Sequence, residues 1–294
     1  MPANLKQVRG RIKSVMSTQQ ITKAMKMVSA AKFRRAQDAI IQMRPYAHKM
    51  NSILGNLAAA LEGQMSLDLA ETRKLKHILI VVLTSDRGLC GSFNTNINRK
   101  AENLAKEQYA EQFENGQVTI LTIGKKGNDY FAKWSGNVIS DHVHLFHDLS
   151  YDAANKVSNF LTSSFLSAEY DRVDVVYSRF KNAASQIFQI EQFLPIIKVE
   201  SDLSSKTKTD FIFEPDRDKL IEELLPLILR TNFYRMLLDT VASEHGARMT
   251  AMDQATENAN ELLRDLRLTY NRARQDAITT ELIEIVSGAA ALNA

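Results

Sequence analysis

Between Ala36 and Leu61, apolar side chains fall at Ala36, Ile40, Met43, Ala47, Met50, Leu54, Leu57 and Leu61, in alternating steps of four and three. Steps averaging 3.5 residues keep one stripe on one side of a helix and mark a coiled-coil seam. Upstream, Leu5, Val8, Ile12 and Val15 have the same spacing; Ile21, Met25 and Val28 extend it, while Gln19 and Thr22 make the intervening stretch polar. The simplest reading is one helix from about Asn4 to Leu61. Pro45 predicts a kink or irregular turn in it, because an internal proline removes a backbone hydrogen bond at a cost of about 3 kcal/mol.

The C-terminal segment repeats the signal. Leu238, Val241, Met252, Ala255, Ala259, Leu262, Leu266 and Ala273 fit one heptad register, with His245 and Arg248 interrupting it at seam positions. Small residues at Ala255, Ala259 and Ala273 let two helix backbones approach closely. From Asp216 to Gly288, only Pro226 and Gly246 threaten continuity. At 1.5 Å per residue the two helices would be roughly 87 and 110 Å long, against a radius of gyration of about 19 Å for a compact chain of this length. The terminal helices are therefore expected to wind around each other antiparallel and to protrude. The competing arrangement breaks them at Pro45, Gly55, Pro226 or Gly246 and folds the pieces into a bundle.

The middle changes period. His77 to Thr84 is a continuous apolar run, as in a strand buried on both faces. Val118 to Ile123 and Val173 to Tyr177 read the same way, with helical stretches at Ile97 to Phe113, Lys126 to Trp134 and Tyr151 to Glu169 between them. That alternation predicts an open, mainly parallel, Rossmann-like α/β sheet. Ile187 to Ile197 and Asp210 to Phe213 add strands of less definite placement, and Glu200 to Thr209 reads as an exposed loop. The expected division is an N-terminal coiled-coil helix over 1–62, a central α/β domain over 75–213, and a C-terminal helix over 216–294 that pairs with the first.

Composition adds little, but charge placement adds a good deal. Hydrophobic residues make up 45% and charged residues 24% of the 294, an ordinary globular mixture. No apolar run approaches the roughly 18 residues needed to span a bilayer. The opening residues lack the apolar core of a secretory signal. Yet residues 1–50 hold eleven Lys or Arg and one acid, a charge of +10, so the remainder carries −7 of the net +3. Basic groups near a helix start oppose its macrodipole, so Lys6, Arg9, Arg11 and Lys13 point to a negative partner or to a solvated basic face. A nucleic-acid-binding coiled coil is the rival reading of that charge.

Candidate chemistry is sparse. Thr84-Ser85-Asp86-Arg87-Gly88-Leu89-Cys90-Gly91 follows a strand and precedes a helix, where α/β proteins often hold ligands. It lacks the glycine-rich loop with Lys-Ser/Thr that grips phosphates, and it lacks the dinucleotide fingerprint. A turn with a helix cap at Ser92 or Asn94 accounts for the stretch. Cys90, the one cysteine, cannot form an internal disulfide, and no Cys-His signature supports a nucleophilic role. His142, His144 and His147 are half of the six histidines; on a strand His142 and His144 would share a face and could meet a metal. Without cysteines or a helical His-Glu motif, no catalytic, cofactor or metal site is assigned.

Three stretches together carry a resemblance: Ile21-Thr22-Lys23-Ala24-Met25-Lys26-Met27-Val28-Ser29-Ala30-Ala31-Lys32, the Thr84 to Gly91 turn, and Ser243 to Ala259. With Tyr270 to Leu292, they resemble the gamma subunit of the F-type ATP synthase, in order over essentially the whole chain. The resemblance implies a non-catalytic rotor shaft, with no cofactor of its own, inside a ring of alpha and beta subunits, three of each. It also implies an epsilon subunit and a membrane c-ring as partners, proton-driven rotation, and no nucleic acid. It implies that Met25 and Lys26 meet the beta subunits and that Arg248, Gln275, Thr279 and Glu281 contact the ring. Phe211, Phe213 and Glu214 would meet the membrane rotor ring. The single Cys90 departs from chloroplast members, which carry a regulatory cysteine pair. The expected location is peripheral, on the cytoplasmic side of a bacterial inner membrane.

Overall fold

The computed structural model describes residues 5–60, 68–134, 136–183, 185–196 and 217–292, except the side chains of 48, 51, 53–60, 217–222 and 292. The expected strand at Asp210 to Phe213, the loop at Glu200 to Thr209 and the residues Phe211, Phe213 and Glu214 lie outside the described residues. The chain divides into two compact units, one of Met1–Ser29 with Met249–Ala294 and one of Ala30–Arg248. Two long helices, α1 (Leu5–Ala60) and α6 (Arg217–Leu292), supply residues to both. Each is helical throughout its range, α1 through Pro45 and α6 through Pro226. The irregular turn expected at Pro45 is absent from α1, and the bundle of broken helices is not formed.

In the first unit the two helices run antiparallel in one register. Arg9 donates to the Tyr270 hydroxyl at 2.8 Å, Gln19 bonds Asn260, the Thr22 and Thr256 hydroxyls lie 2.8 Å apart, and Lys26 pairs with Asp253. Each pair of residue numbers totals 278 or 279, which is what a fixed antiparallel seam requires. Burial follows that seam through Leu5, Val8, Ile12, Val15, Gln19, Thr22 and Ser29, facing Met252, Thr256, Ala259, Leu263, Leu266, Tyr270 and Ala273. Three expected seam positions are corrected. Ile21 and Val28 are 59% and 58% exposed, and Leu262 is also exposed. Heptad spacing measured from Val15 lands on Gln19 and Thr22, and hydrogen bonds across the pair satisfy these polar groups, so the seam passes through them instead of shifting to the nearest apolar residue.

The second unit is built on a five-stranded sheet. After α1 come β1 (Ile78–Leu83), α2 (Phe93–Asn103), a π-turn at Leu104–Gln108, α3 (Ala110–Glu114), β2 (Val118–Ile123) and α4 (Lys125–Phe131). Next are β3 (Asn137–Ile139), a short 3-10 turn at Leu145–Asp148, α5 (Tyr151–Leu166), β4 (Arg172–Phe180) and β5 (Gln186–Leu194). The order is β3-β2-β1-β4-β5, parallel except where β5 returns antiparallel along β4. β1 is wholly buried because it is central and covered on both faces. Leu79, Val81 and Leu83 point into one core, with Val157, Leu161 and Phe165 of α5 and Leu229, Phe233 and Leu237 of α6. Ile78, Ile80 and Val82 point into the other, with Phe93, Ile97, Tyr109 and Phe131. A third cluster joins Ala36 and Ile40 of α1 to Leu238 and Ala242 of α6 and to Phe180. Helix α5 begins where Ser150 caps the Ala153 amide.

Candidate functional site

The turn after β1 sits where the parallel strand order reverses, with β2 on one side of β1 and β4 on the other. Such a crevice at the carboxyl end of strands is a common ligand seat. Here the protein's own atoms fill it. The Thr84 hydroxyl accepts the Gly127 amide at 2.8 Å. Gly124 has φ +100°, and a Cβ there would lie 2.2 Å from the Thr84 carbonyl oxygen, so only glycine fits. The Asn94 side chain accepts from the Ser85 amide at 2.9 Å instead of capping α2, and Ser92 makes no side-chain cap either. The helix caps expected at these two residues are therefore not formed, because Asn94 holds the turn itself.

Arg248 closes the crevice from α6. Its guanidinium donates to the carbonyls of Arg87 at 2.8 Å and Gly88 at 3.3 Å, and pairs with Glu244 one helical turn back. Arg248 is 7% exposed and Glu244 is nearly as buried. Burial raises the Glu244 pKa, with Arg248 opposing. Burial drives the neighbouring His245 down to about 4, reinforced by Arg248 and Lys32, so its imidazole is neutral. A phosphate cradle offers amide donors; this turn offers carbonyls, and a cation already occupies them. Cys90 is buried and its thiol is pushed up, chiefly by desolvation, which makes it a poor nucleophile. What the arrangement achieves is mechanical: one guanidinium ties the long helix to the Arg87–Gly88 backbone. It also presents Leu89, at φ +64° and 64% exposed, on the surface.

The remaining expected site residues are scattered. Met25 is half-buried in the first unit, and the Lys26 ammonium meets Asp253 across the helix pair. Gln275, Thr279 and Glu281 are exposed. The seam register sets Leu5 opposite residue 274, so α6 beyond that point has no facing helix among the described residues, and positions 278–291 are all exposed. Lys26 is brought to Asp253 in the first unit, where Met25 also lies, and Arg248 belongs to the second. The histidine stretch is not a strand: 141–144 form a turn and 145–148 the 3-10 turn, so the strand geometry that would put His142 and His144 on one face does not arise. Among the described residues, no three His, Cys, Asp or Glu side chains converge as a metal set. Of the two ionic partners, Glu244 is signalled by its place four residues before Arg248, whereas Asp253 is revealed only by the register.

Comparison with known proteins adds an independent line. The model of a family described as "ATP synthase" matches residues 4–292. The ATP synthase gamma chain of Cytophaga hutchinsonii is 52% identical over the full length of both chains. That of Chlorobium phaeobacteroides is 47% identical over 99% of both. Among solved structures, a chain of the Tetrahymena thermophila mitochondrial ATP synthase central stalk and c-ring is 26% identical with a TM-score of 0.59, covering 80% of this chain and 99% of that one. A chain of the Euglena gracilis mitochondrial ATP synthase, 24% identical over 98% of this chain and 94% of that one with a TM-score of 0.67, has the same fold.

Proposed function

The chain belongs to the gamma-chain family of the F-type ATP synthases, and from that premise we infer that it is the non-catalytic central-stalk subunit of such a complex. Its partners are the alpha and beta subunits, the epsilon subunit and the c-ring, and it forms part of the F1 portion of a membrane-bound, proton-transporting assembly. The observation that carries this reading is the end-to-end likeness to gamma chains, 52% identical with nothing left over on either side. Physically, rotation driven from the ring turns the stalk, and each beta subunit shifts among nucleotide states according to the face of the stalk presented to it.

The helix pair suits that role. Its polar cross-links fix register, so torque enters a seam that resists sliding. The finer assignments are part of the same proposal. The segments 1–62 and 216–294 act as the shaft and 75–213 as the body. Met25, Lys26, Gln275, Thr279 and Glu281 meet the alpha and beta subunits, supported for the last three by their exposure on unpaired helix. Arg248 contributes through the turn it holds, since its own guanidinium is occupied. Phe211, Phe213 and Glu214 meet the c-ring. The complex sits on the cytoplasmic side of a bacterial inner membrane, in line with the bacterial relatives.

The test is reconstitution of the full chain with alpha and beta subunits. The expected result is an assembled, ATP-hydrolysing complex that turns a probe attached to the 75–213 body. A chain that leaves alpha and beta unassembled, or a complex whose probe stays still during hydrolysis, overturns the reading.

A further inference from the structure

In the second unit, the apolar cluster that packs α1 on α6 includes Phe180, the last residue of β4, as its one strand residue among the described residues. α1 holds Phe180 twice. The Phe33 ring lies edge-on to the Phe180 ring with centroids 5.5 Å apart, and Arg44 Nη2 donates to the Phe180 carbonyl at 2.9 Å. The same Nη2 lies 3.5 Å from Asp239 of α6, whose side chain is 2% exposed. Burial raises the pKa of that carboxyl, opposed by Arg235, Arg44 and the Phe180 amide. Ring, carbonyl and amide of one residue are thus engaged by the two long helices. α6 holds the same hairpin at further points. Arg235 pairs with Glu191 at 2.8 Å and donates to the Tyr177 hydroxyl at 3.2 Å, and the Ser243 hydroxyl donates to the Ser178 carbonyl at 3.2 Å.

The place of this contact along α1 matters. Pro45, the residue after Arg44, has no amide to donate to the Ile41 carbonyl, so this turn lacks one of the hydrogen bonds that stiffen a helix. The backbone joins α1 to the sheet only beyond Ala60, so a twisting load carried along the backbone crosses Pro45. A load applied through Phe33 and Arg44 does not. We propose that Phe180, held by Arg44 and Phe33, is the joint through which the α/β body turns α1, placed ahead of Pro45 so that torque bypasses the weakened turn. The inference rests on the central-stalk reading and gives Arg44 a positioning role in it.

The test uses the full chain assembled with alpha and beta subunits and reads the angular variance of a probe on the 75–213 body while hydrolysis is stalled. Arg44→Met keeps the apolar stem and removes the donor. Because the Arg44 side chain is 40% exposed, the variant should keep the wild-type melting profile and hydrolysis rate. Its variance should rise ~2-fold, since one of the two contacts that couple the body to α1 is lost. Adding Pro45→Ala, which returns the backbone hydrogen bond, should bring the variance back toward wild type, whereas Pro45→Ala alone should leave it unchanged. A contact that served folding alone would show neither the rise nor this rescue. If Arg44→Met does not assemble, Arg44→Gln is judged by the same rise and the same rescue. Unchanged variance, or a rise that Pro45→Ala does not reverse, overturns the joint while leaving the stalk reading intact. A wild-type complex whose probe stays still when hydrolysis resumes overturns both.

Discussion

The two units both place polar groups inside helix contacts, but they do so in opposite surroundings. In the first, Lys26 and Asp253 meet with side chains 39% and 46% exposed, beside the Thr22–Thr256 pair. In the second, Glu244 and Arg248 meet with side chains 11% and 9% exposed and share the Arg87–Gly88 backbone. Water screens the first arrangement, so its pairs choose a register without contributing much stability. It barely reaches the second, where an uncompensated charge is expensive. The same contrast holds for apolar surface. β1 is buried end to end, whereas Ile21, Met27, Val28, Leu268, Ile283, Ile285 and Val286 stand exposed on the helices of the first unit. Apolar side chains left exposed on these helices are in keeping with a surface that another chain covers, as a stalk inside a ring requires.

Arg248→Ala tests the buried side of the contrast and has the largest expected effect. It strands the Glu244 carboxylate and leaves two carbonyls without a donor. Removing one partner of such a pair costs about 3–5 kcal/mol, readable in a urea titration of the full chain. Arg248→Lys should recover only part of it, since one ammonium cannot serve Glu244 and both carbonyls with the fork of a guanidinium. A loss below about 1 kcal/mol would place this pair with the screened ones.

Acidification probes the same cluster more gently. His245 is depressed from 6.5 to about 4, mainly by burial, so between those pH values the unfolded chain binds the proton that the folded chain refuses. Stability therefore falls as pH drops from 6.5 toward 4 and levels off below, by up to about 3 kcal/mol from this residue. Glu244 works the other way. Its raised pKa gives stability that is full at low pH and is lost as pH rises past 4.5 through the folded value. His245→Gln should remove the histidine contribution, and unfolding curves collected across this range should show a smaller decline on acidification than wild type. An unchanged decline would assign it to other groups.

The legibility of the chain follows the same division. β1 could be read because six consecutive apolar residues admit few alternatives, and the Ala36–Met50 seam because every step falls on an apolar side chain. The middle of the first seam is legible only by spacing: Thr22 and Ser29 are buried along it, whereas the adjacent apolar Ile21 and Val28 face outward. Leu262 and Leu263 are adjacent and chemically identical, so composition could not choose between them; the register does. β3 is three residues long and half-exposed, too short to leave a period. The Arg248 clamp joins residues about 160 positions apart, and no local pattern announces which backbone carbonyls a helix will reach.

The Thr22–Thr256 pair offers the smallest effect and the sharpest reading of the seam. The hydroxyls lie 2.8 Å apart, and Thr256 also donates to the Met252 carbonyl at 2.7 Å. Replacing Thr22 alone with Val leaves Thr256 its local carbonyl partner and should cost only about 1 kcal/mol, the net worth of one hydrogen bond. Replacing both with Val exchanges a polar layer for an apolar one of similar volume. If the hydroxyls serve register, the double variant should be at least as stable as wild type, and a double-mutant cycle by urea unfolding should give a coupling of about 0.5–1 kcal/mol. The apolar layer no longer prefers Thr256's position over that of its neighbours, so paired labels at positions 9 and 270 should report a broader distance distribution than in wild type. A narrow distribution with a large loss of stability would mean that this layer supports folding in the way the buried cluster does, and the distinction between the two units would fail at that point.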